Sequence, residues 1–341
     1  MIENDLLILG GNEVDLLLRN KESEIIETIR SAYTIFATED SALPHSTFLR
    51  FPNDSKNRII GLPGYLGQDF AVAGMKWIAS FPNNHDLGLD RASAAIILNS
   101  ARTGRPKAFL EGSIISAKRT AASAALGAAT LYSNQRMNSV GLIGCGLINL
   151  EILKFLLVVF PQLQQVFLYD LFPEQSEKFK NKCEELFENV EIRIEKDCNS
   201  VFSQTNLISF ATTATVPYVT EASPLFSEKI ILHISLRDLK PEVILKCNNV
   251  ADDIDHVCRA QTSIHLTEQQ VGNRNFIKYQ LYDFLSGKES VPQLEKKTVI
   301  FSPFGLGILD LALSEMVYRA ALANDQGMKI HSFLPEYWLN R

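Results

Sequence analysis

The sequence predicts a two-domain α/β protein, with one domain built on a doubly wound parallel sheet and the other an α+β domain assembled from two stretches of chain. Three observations predict it. At 341 residues the chain exceeds what one ordinary core accommodates. Its first third carries strand-like runs that follow one another without helices, the pattern of an antiparallel or mixed sheet. From Ser139 onward, strand-like and helix-like runs alternate, the pattern of right-handed β-α-β crossovers.

Taken in order, a helical pattern covers Ser23–Glu39. Runs of β character follow at Ser46–Phe51, Arg58–Leu62, Ala71–Ala79, Ala94–Leu98 and Lys107–Leu110, separated by turn signals such as Pro52-Asn53-Asp54, Pro63-Gly64 and Pro82-Asn83-Asn84. Ser113–Tyr132 is rich in alanine and nearly free of breakers, which predicts a long helix. The alternation then runs Val140–Ile143, a helix to Phe160, Gln165–Asp170, a helix over Pro173–Phe187, Glu191–Glu195, Leu207–Ala211 and Ile230–Ser235. A last strand at Val299–Phe301 leads into a helix from about Gly307, which with the tail is expected to return to the first domain. The expected division is 1–118 with 310–341 for one domain and 119–309 for the other.

Composition narrows the function. Hydrophobic residues make up 46% and charged residues 21%, ordinary for a soluble globular protein. With 33 Lys and Arg against 39 Asp and Glu, the net charge of -6 supplies no excess to neutralise phosphates, so neither nucleic acid nor an anionic membrane is expected as a partner. A local basic pocket for a small anion stays compatible with that balance. The acidic start Met1–Asp15 lacks the features of a signal peptide, and no run reaches the roughly 20 apolar residues that span a bilayer. Five widely spaced cysteines without a CxxC pair read as reduced thiols, and a cytoplasmic protein is expected. The six histidines show no metal-ligand spacing, so no metal is expected, and no Walker-type loop or nucleophilic triad has an anchor.

Val140-Gly-Leu-Ile-Gly-Cys-Gly-Leu-Ile-Asn149 reads as strand, glycine turn and helix start. Gly144 permits the tight turn and Gly146 lets backbone N–H groups approach a pyrophosphate, to which the following helix adds its positive end. This matches the Rossmann pattern for a dinucleotide, though a glycine-rich turn can also serve as a plain strand–helix connection. Asn149 stands where a third glycine would be, so looser helix–strand packing is expected. Leu147 and Ile148, which open the helix, belong to the same cofactor set, as does Thr120. About two dozen residues on, Asp170 ends the next strand, where a carboxylate can accept both ribose hydroxyls and repel a 2′-phosphate, favouring NAD(H). Asp170 could equally cap the helix that starts near Pro173. Thr212 and Thr213 follow the strand Leu207–Ala211, and either cradle the nicotinamide half or form a plain turn.

Three cations are candidates for binding substrate carboxylates. Lys76 sits in the apolar run Val72–Ile78, where a charge is costly unless paired. Arg119 lies at the expected domain junction and Arg50 ends a strand; singly, each is also readable as an ordinary surface charge or ion pair. Asp238 follows the strand Ile230–Ser235 at its carboxyl end and could act as a general base or stabilise an iminium, or could cap a helix starting near Pro241.

With these residues in place, the chain resembles the ornithine cyclodeaminase/μ-crystallin family along nearly its whole length. The resemblance is carried by Gly74–Trp77, Ala92–Asn99, Ser116–Ala122, Gly144–Asn149 and Ser302–Gly307 with Asp310. It implies a dimerisation and substrate domain, a Rossmann domain, bound NAD(H), a homodimer, and hydride removal from a carbon bearing an amine. By position, Lys76 and Arg119 match the family's substrate-carboxylate residues, Arg50 less closely, and Asp238 its catalytic acid, with Lys76 also counted in the catalytic set. Within the family, Arg58–Pro63, Arg91–Ser93 and Ile143–Ile148 look most like the branch of dehydrogenases that make L-2,3-diaminopropionate, a siderophore precursor. That branch implies oxidation and imine hydrolysis of N-(2-amino-2-carboxyethyl)-L-glutamate. Cyclodeaminases carry a longer glycine/proline turn after the catalytic acid than Asp238–Glu242 here, and Lys240, the candidate second cation, precedes Pro241 in inverted order. The alternatives are an ornithine or lysine cyclodeaminase, an alanine-type dehydrogenase, or a crystallin-like protein that binds NAD(H) or a small ligand without turnover.

Overall fold

The computed structural model describes residues 4–132, 137–220, 228–289 and 297–340. It forms two compact units, Met1–Arg119 with Leu306–Arg341, and Thr120–Gly305.

In the first unit, β1 (Leu6–Leu9) leads into α1 (Gly11–Leu18) and α2 (Glu22–Ala37). Then come β2 (Ser41–Ala42), β3 (Thr47–Phe51), β4 (Asp54–Leu66), β5 (Val72–Ser80), β6 (Ala92–Ser100) and β7 (Pro106–Glu111). The turn residues read from the sequence fold β3 to β7 into an antiparallel meander. The sheet is mixed overall, because β1 pairs parallel with β7. Its other neighbour, β16 (Met328–Ile330), comes from the end of the chain and runs antiparallel. Register sets Lys76 opposite Leu62 and Ile96, so these share one face, while Met75, Trp77, Ile97 and Phe109 take the other. The first face is covered by α11 (Gly307–Ala323), which packs on β4, β5, β6 and α2. This helix is buried nearly all round, as expected of a helix apolar on most sides.

The long helix α3 (Ser113–Leu131) starts where Glu111 accepts hydrogen bonds from the Ser113 and Ile114 N–H groups, and the division between units falls within it. The second unit then alternates β8 (Ser139–Ile143), α4 (Leu147–Val159), β9 (Gln165–Tyr169), α5 (Pro173–Leu186), β10 (Glu191–Ile194), α6 (Cys198–Gln204), β11 (Leu207–Phe210) and β12 (Ile230–His233). Between β12 and the final strand β15 (Val299–Ser302) lie α7 (Pro241–Lys246), β13 (Asn248–Ala251), α8 (Ile254–Val257), α9 (Ser263–Val271), β14 (Ile277–Gln280) and α10 (Leu281–Leu285). All eight strands are parallel, in the order β10-β9-β8-β11-β12-β15-β13-β14. The buried strands read Val-Gly-Leu-Ile, Leu-Ile-Ser-Phe and Ile-Ile-Leu-His because both sheet faces are covered, so no polar alternation is required. Strand order reverses between β8 and β11, which opens a crevice at their carboxyl ends. Among the described residues no helix is long and apolar enough to cross a membrane.

Candidate active site

Lys76 projects from the middle of β5 and is 1% exposed. Its ammonium donates to Asp310 Oδ2 at 2.7 Å and to Ser116 Oγ at 3.1 Å. From α3, Arg119 Nε donates to the other oxygen of Asp310 at 3.0 Å. Asp310 is wholly buried in the first turn of α11. One carboxylate thus serves two cations, and the three charges sum to +1. Burial, together with the Arg119 charge, pulls the Lys76 ammonium down to about 8 against the opposing pull of Asp310. A second anion at this cluster would relieve that excess.

In the second unit the glycine turn stands at the sheet's switch point. Gly144 has φ of 93°, and a Cβ there would stand 2.5 Å from Ala211 O and 3.2 Å from Thr212 Cα, so only glycine fits. Gly146 is the N-cap of α4, and the space where its Cβ would stand is open. Among the described residues no side chain caps that helix, so the Leu147 and Ile148 N–H groups at its first turn are available to an anion. This arrangement fits a dinucleotide pyrophosphate. Asn149 does not loosen the packing, as its sequence position suggests. Its buried amide donates to Ile143 O at 3.1 Å and Gly144 O at 2.7 Å and accepts from Ser209 Oγ at 2.7 Å, tying the helix to the turn and to β11. Asp170 is not a helix cap either: α5 takes Phe172 as N-cap without a side-chain bond. Instead Asp170 accepts from Cys145 N at 2.8 Å and Phe172 N at 3.0 Å, bracing the turn from the end of β9. The Cys145 thiol beside it is pushed up to about 12 by burial and carries no nucleophilic chemistry.

Asp238 lies past the end of β12 and does not cap α7, whose N-cap is Lys240. Its carboxylate is fully buried and accepts from Thr212 Oγ1 on one oxygen and Ser235 Oγ on the other. His233 Nε2 stands 3.2 Å from the latter oxygen and the same distance from the Asp238 backbone N. Burial works against ionisation here, but the His233 contact and charge, then Ser235 and Thr212, outweigh it and hold the carboxyl below its ordinary value. Behind the ring, Ser302 Oγ is 3.4 Å from His233 Nδ1. The buried Asp252 accepts from the N–H groups of Phe304 and Gly305, which fixes the loop that follows Ser302.

The chain as a whole is similar to known proteins. The family model for the ornithine cyclodeaminase/mu-crystallin family matches residues 12–325. The chain belongs to this family. Among its relatives is the N-((2S)-2-amino-2-carboxyethyl)-L-glutamate dehydrogenase of Staphylococcus aureus, 26% identical over 97% of this chain and 100% of that protein. An archaeal alanine dehydrogenase dimer with bound NAD superposes with a TM-score of 0.84 at 25% identity, covering 96% of this chain and 99% of that one. The Δ1-pyrroline-2-carboxylate reductase of Thermococcus litoralis, in complex with NADH and L-proline, shares the fold with a TM-score of 0.87 at 23% identity, over 95% and 100% of the two chains.

Of the residues expected to act in this family fold, Lys76 and Arg119 converge on one carboxylate, and Thr212 and Asp238 form a second cluster. Gly144, Gly146, Leu147, Ile148 and Asp170 form the turn described above. Arg50 is not brought to the Lys76 cluster. It is exposed on β3, over the Phe48 ring at 5.5 Å, on the same sheet face as Lys76 but about 16 Å away by strand spacing. The Lys240 backbone bonds to Val219 O and to the first turn of α7. Thr213 is exposed and Thr120 half-buried. Three partners escaped the sequence reading: Asp310 as counter-charge, His233 and Ser235. Asp310 left a signal, a lone acid in the apolar run Ile308–Leu313, matching a lone lysine in an apolar strand. His233 and Ser235 left none, because only the turn after β12 folds them back onto Asp238.

Proposed function

We propose that this chain oxidises N-(2-amino-2-carboxyethyl)-L-glutamate with NAD+ and hydrolyses the resulting imine to L-2,3-diaminopropionate and 2-oxoglutarate. It is an NAD(H)-dependent oxidoreductase, and the finer assignment is to this substrate. The observation that carries it is the Asp238 carboxylate, buried, relieved of the capping role its sequence position allows, and hydrogen-bonded beside a glycine turn with open N–H groups. The full-length relationship to the Staphylococcus aureus dehydrogenase and the short Asp238–Glu242 segment support the substrate.

Gly144, Gly146 and the N–H groups of Leu147 and Ile148 hold the pyrophosphate. Asp170 keeps lone pairs for ribose hydroxyls beyond its two backbone bonds and disfavours a 2′-phosphate. Thr120, Thr212 and Thr213 contact the nicotinamide half. Bound NAD+ supplies the hydride acceptor. Lys76 and Arg119 bind substrate carboxylate, which balances the +1 charge left around Asp310. Asp238 takes and returns the protons of imine hydrolysis, and Arg50 and Lys240 serve the outer carboxylates.

A second reading is favoured by one observation, the separation of Arg50 from Lys76. An amino-acid dehydrogenase with a single-carboxylate substrate would use the Lys76–Arg119 cluster alone. Incubation with NAD+ and each candidate substrate decides between them. NADH absorbance should rise with the tricarboxylate, and replacing Arg50 by Ala should raise its KM. NADH from L-alanine with none from the tricarboxylate would overturn the first assignment.

A homodimer is part of the same proposal. The outer face of the first sheet presents Leu49, Trp77 and Phe109, each 40–44% exposed, beside Met75 and Ile97. Such a face calls for cover, and a second copy of the chain is the proposed one. Trp77→Glu should convert the dimer to monomer in light scattering, and a wild-type monomer would refute it.

A further inference from the structure

We propose that Thr212 is the catalytic group that meets the water attacking the imine, and that Asp238 acts only through it as a proton store. This rests on the oxidoreductase reading above and gives its hydrolytic half a specific residue.

Asp238 has no open surface: it is 0% exposed. One carboxylate oxygen is occupied by the Thr212 hydroxyl, and the other by the Ser235 hydroxyl and the His233 ring. His233 is likewise 0% exposed. A water or substrate therefore cannot reach the carboxylate without passing one of its hydroxyl partners. Among the described residues three hydroxyls border it. Ser235 has a single proton and two acceptors for it, Phe210 O at 3.1 Å and Asp238. Tyr218 also interacts with both Asp238 and Cys198; the residue is 43% exposed, yet desolvation of its phenol, then the charges of those neighbours, keep it protonated. Thr212 differs from both. Its proton points to Asp238, and its oxygen accepts from the Ala214 N–H at 3.1 Å, which leaves one lone pair. The residue is half-buried and stands at the carboxyl end of β11, beside Gly144 at the reversal of strand order. Ligands of open parallel sheets bind there.

Once hydride has left the substrate carbon, that carbon carries an iminium. The water oxygen bonds to it and the C=N π pair moves onto nitrogen. One water proton passes to Thr212 Oγ1 while the Thr212 proton passes to Asp238 Oδ1, giving a neutral carbinolamine. For collapse the proton returns along the same path to nitrogen. The C–N bond then breaks with its electron pair on nitrogen, and the remaining carbonyl proton ends on the released amine.

The test compares Thr212→Val, Thr212→Ser and Tyr218→Phe with wild type, using whichever candidate substrate the wild type oxidises, the tricarboxylate or L-alanine. At saturating NAD+, Thr212→Val should keep its first-turnover NADH burst, while steady-state turnover falls about 10²–10³-fold, as loss of proton transfer does. Thr212→Ser should restore turnover. Carbon-13 NMR titration of the Asp238 carboxyl, assigned with Asp238→Asn, should show a higher midpoint in Thr212→Val and a restored one in Thr212→Ser. Unchanged turnover in Thr212→Val, full rescue of it by saturating NAD+, or a matching loss in Tyr218→Phe instead would overturn the relay. Wild-type activity on L-alanine alone would overturn the substrate assignment and still test the relay. A wild type silent on both overturns the two together.

Discussion

Asp310 and Asp238 are both 0% exposed, one in each compact unit, yet their surroundings differ in kind. Asp310 is gripped by an ammonium and a guanidinium, and its charge is what allows both cations to stay buried. Asp238 is gripped by two hydroxyls and an imidazole. A carboxylate locked between two cations holds them in place, which is the part of a scaffold. One surrounded by hydroxyls can hand a proton along those same bonds. Depth of burial alone does not separate a structural acid from a reactive one; the partners do.

The sharpest way to test this contrast is to remove each acid's charge. Asp238→Asn should lower turnover by about 10²–10⁴-fold with NADH still bound, because proton transfer is lost while the fold's contacts remain. Full activity in that variant would make Asp238 a second structural acid. Asp310→Asn should act the other way round, on stability before chemistry. It leaves Lys76 and Arg119 buried without their counter-charge, at a cost of about 3–5 kcal/mol. Chemical denaturation would show it, and a midpoint unmoved from wild type would mean the triad is solvated. Arg119→Ala should reduce kcat/KM by an amount worth about 1.5–3 kcal/mol, mainly through KM, since a charge-assisted hydrogen bond to substrate is lost. The smallest effect is on pH dependence. Lys76 in the free enzyme titrates near 8, lowered by burial, so it is charged below that pH and neutral above it. The profile of kcat/KM should therefore fall on its alkaline side from about 8, and a limb near the ordinary lysine value would place Lys76 in water.

Much of this was legible in advance, and unevenly so. The alternation after Ser139 is a long-range repeat of strong local patterns, so β8 to β12 with α4 and α5 could be read with ends shifted by a residue or two, while the 7-residue α6 was not. The interval from Lys246 to Val299 could not, because α8 and α10 have 4 and 5 residues and β13 and β14 have 4 each. Elements that short carry too little periodicity to register. The glycine turn was readable because Gly144 must adopt a backbone conformation that side chains resist. The role of Asn149 was misread, since a buried amide can replace close glycine packing only when carbonyls lie within its reach.

Local chemistry along the chain thus determined the fold class, the dinucleotide turn, and the family-matched identities of Lys76, Arg119 and Asp238. Each depends on spacing, propensity or a residue type that resists its surroundings. Partnership was decided only in three dimensions. Asp310 meets Lys76 across 234 positions of sequence, and Thr212 meets Asp238 across 26. Arg50, a third candidate cation in the sequence, is held apart by sheet register. Charges and hydrogen bonds act over a few ångströms of space, so sequence can supply the groups, but only the packed fold selects which of them share a carboxylate.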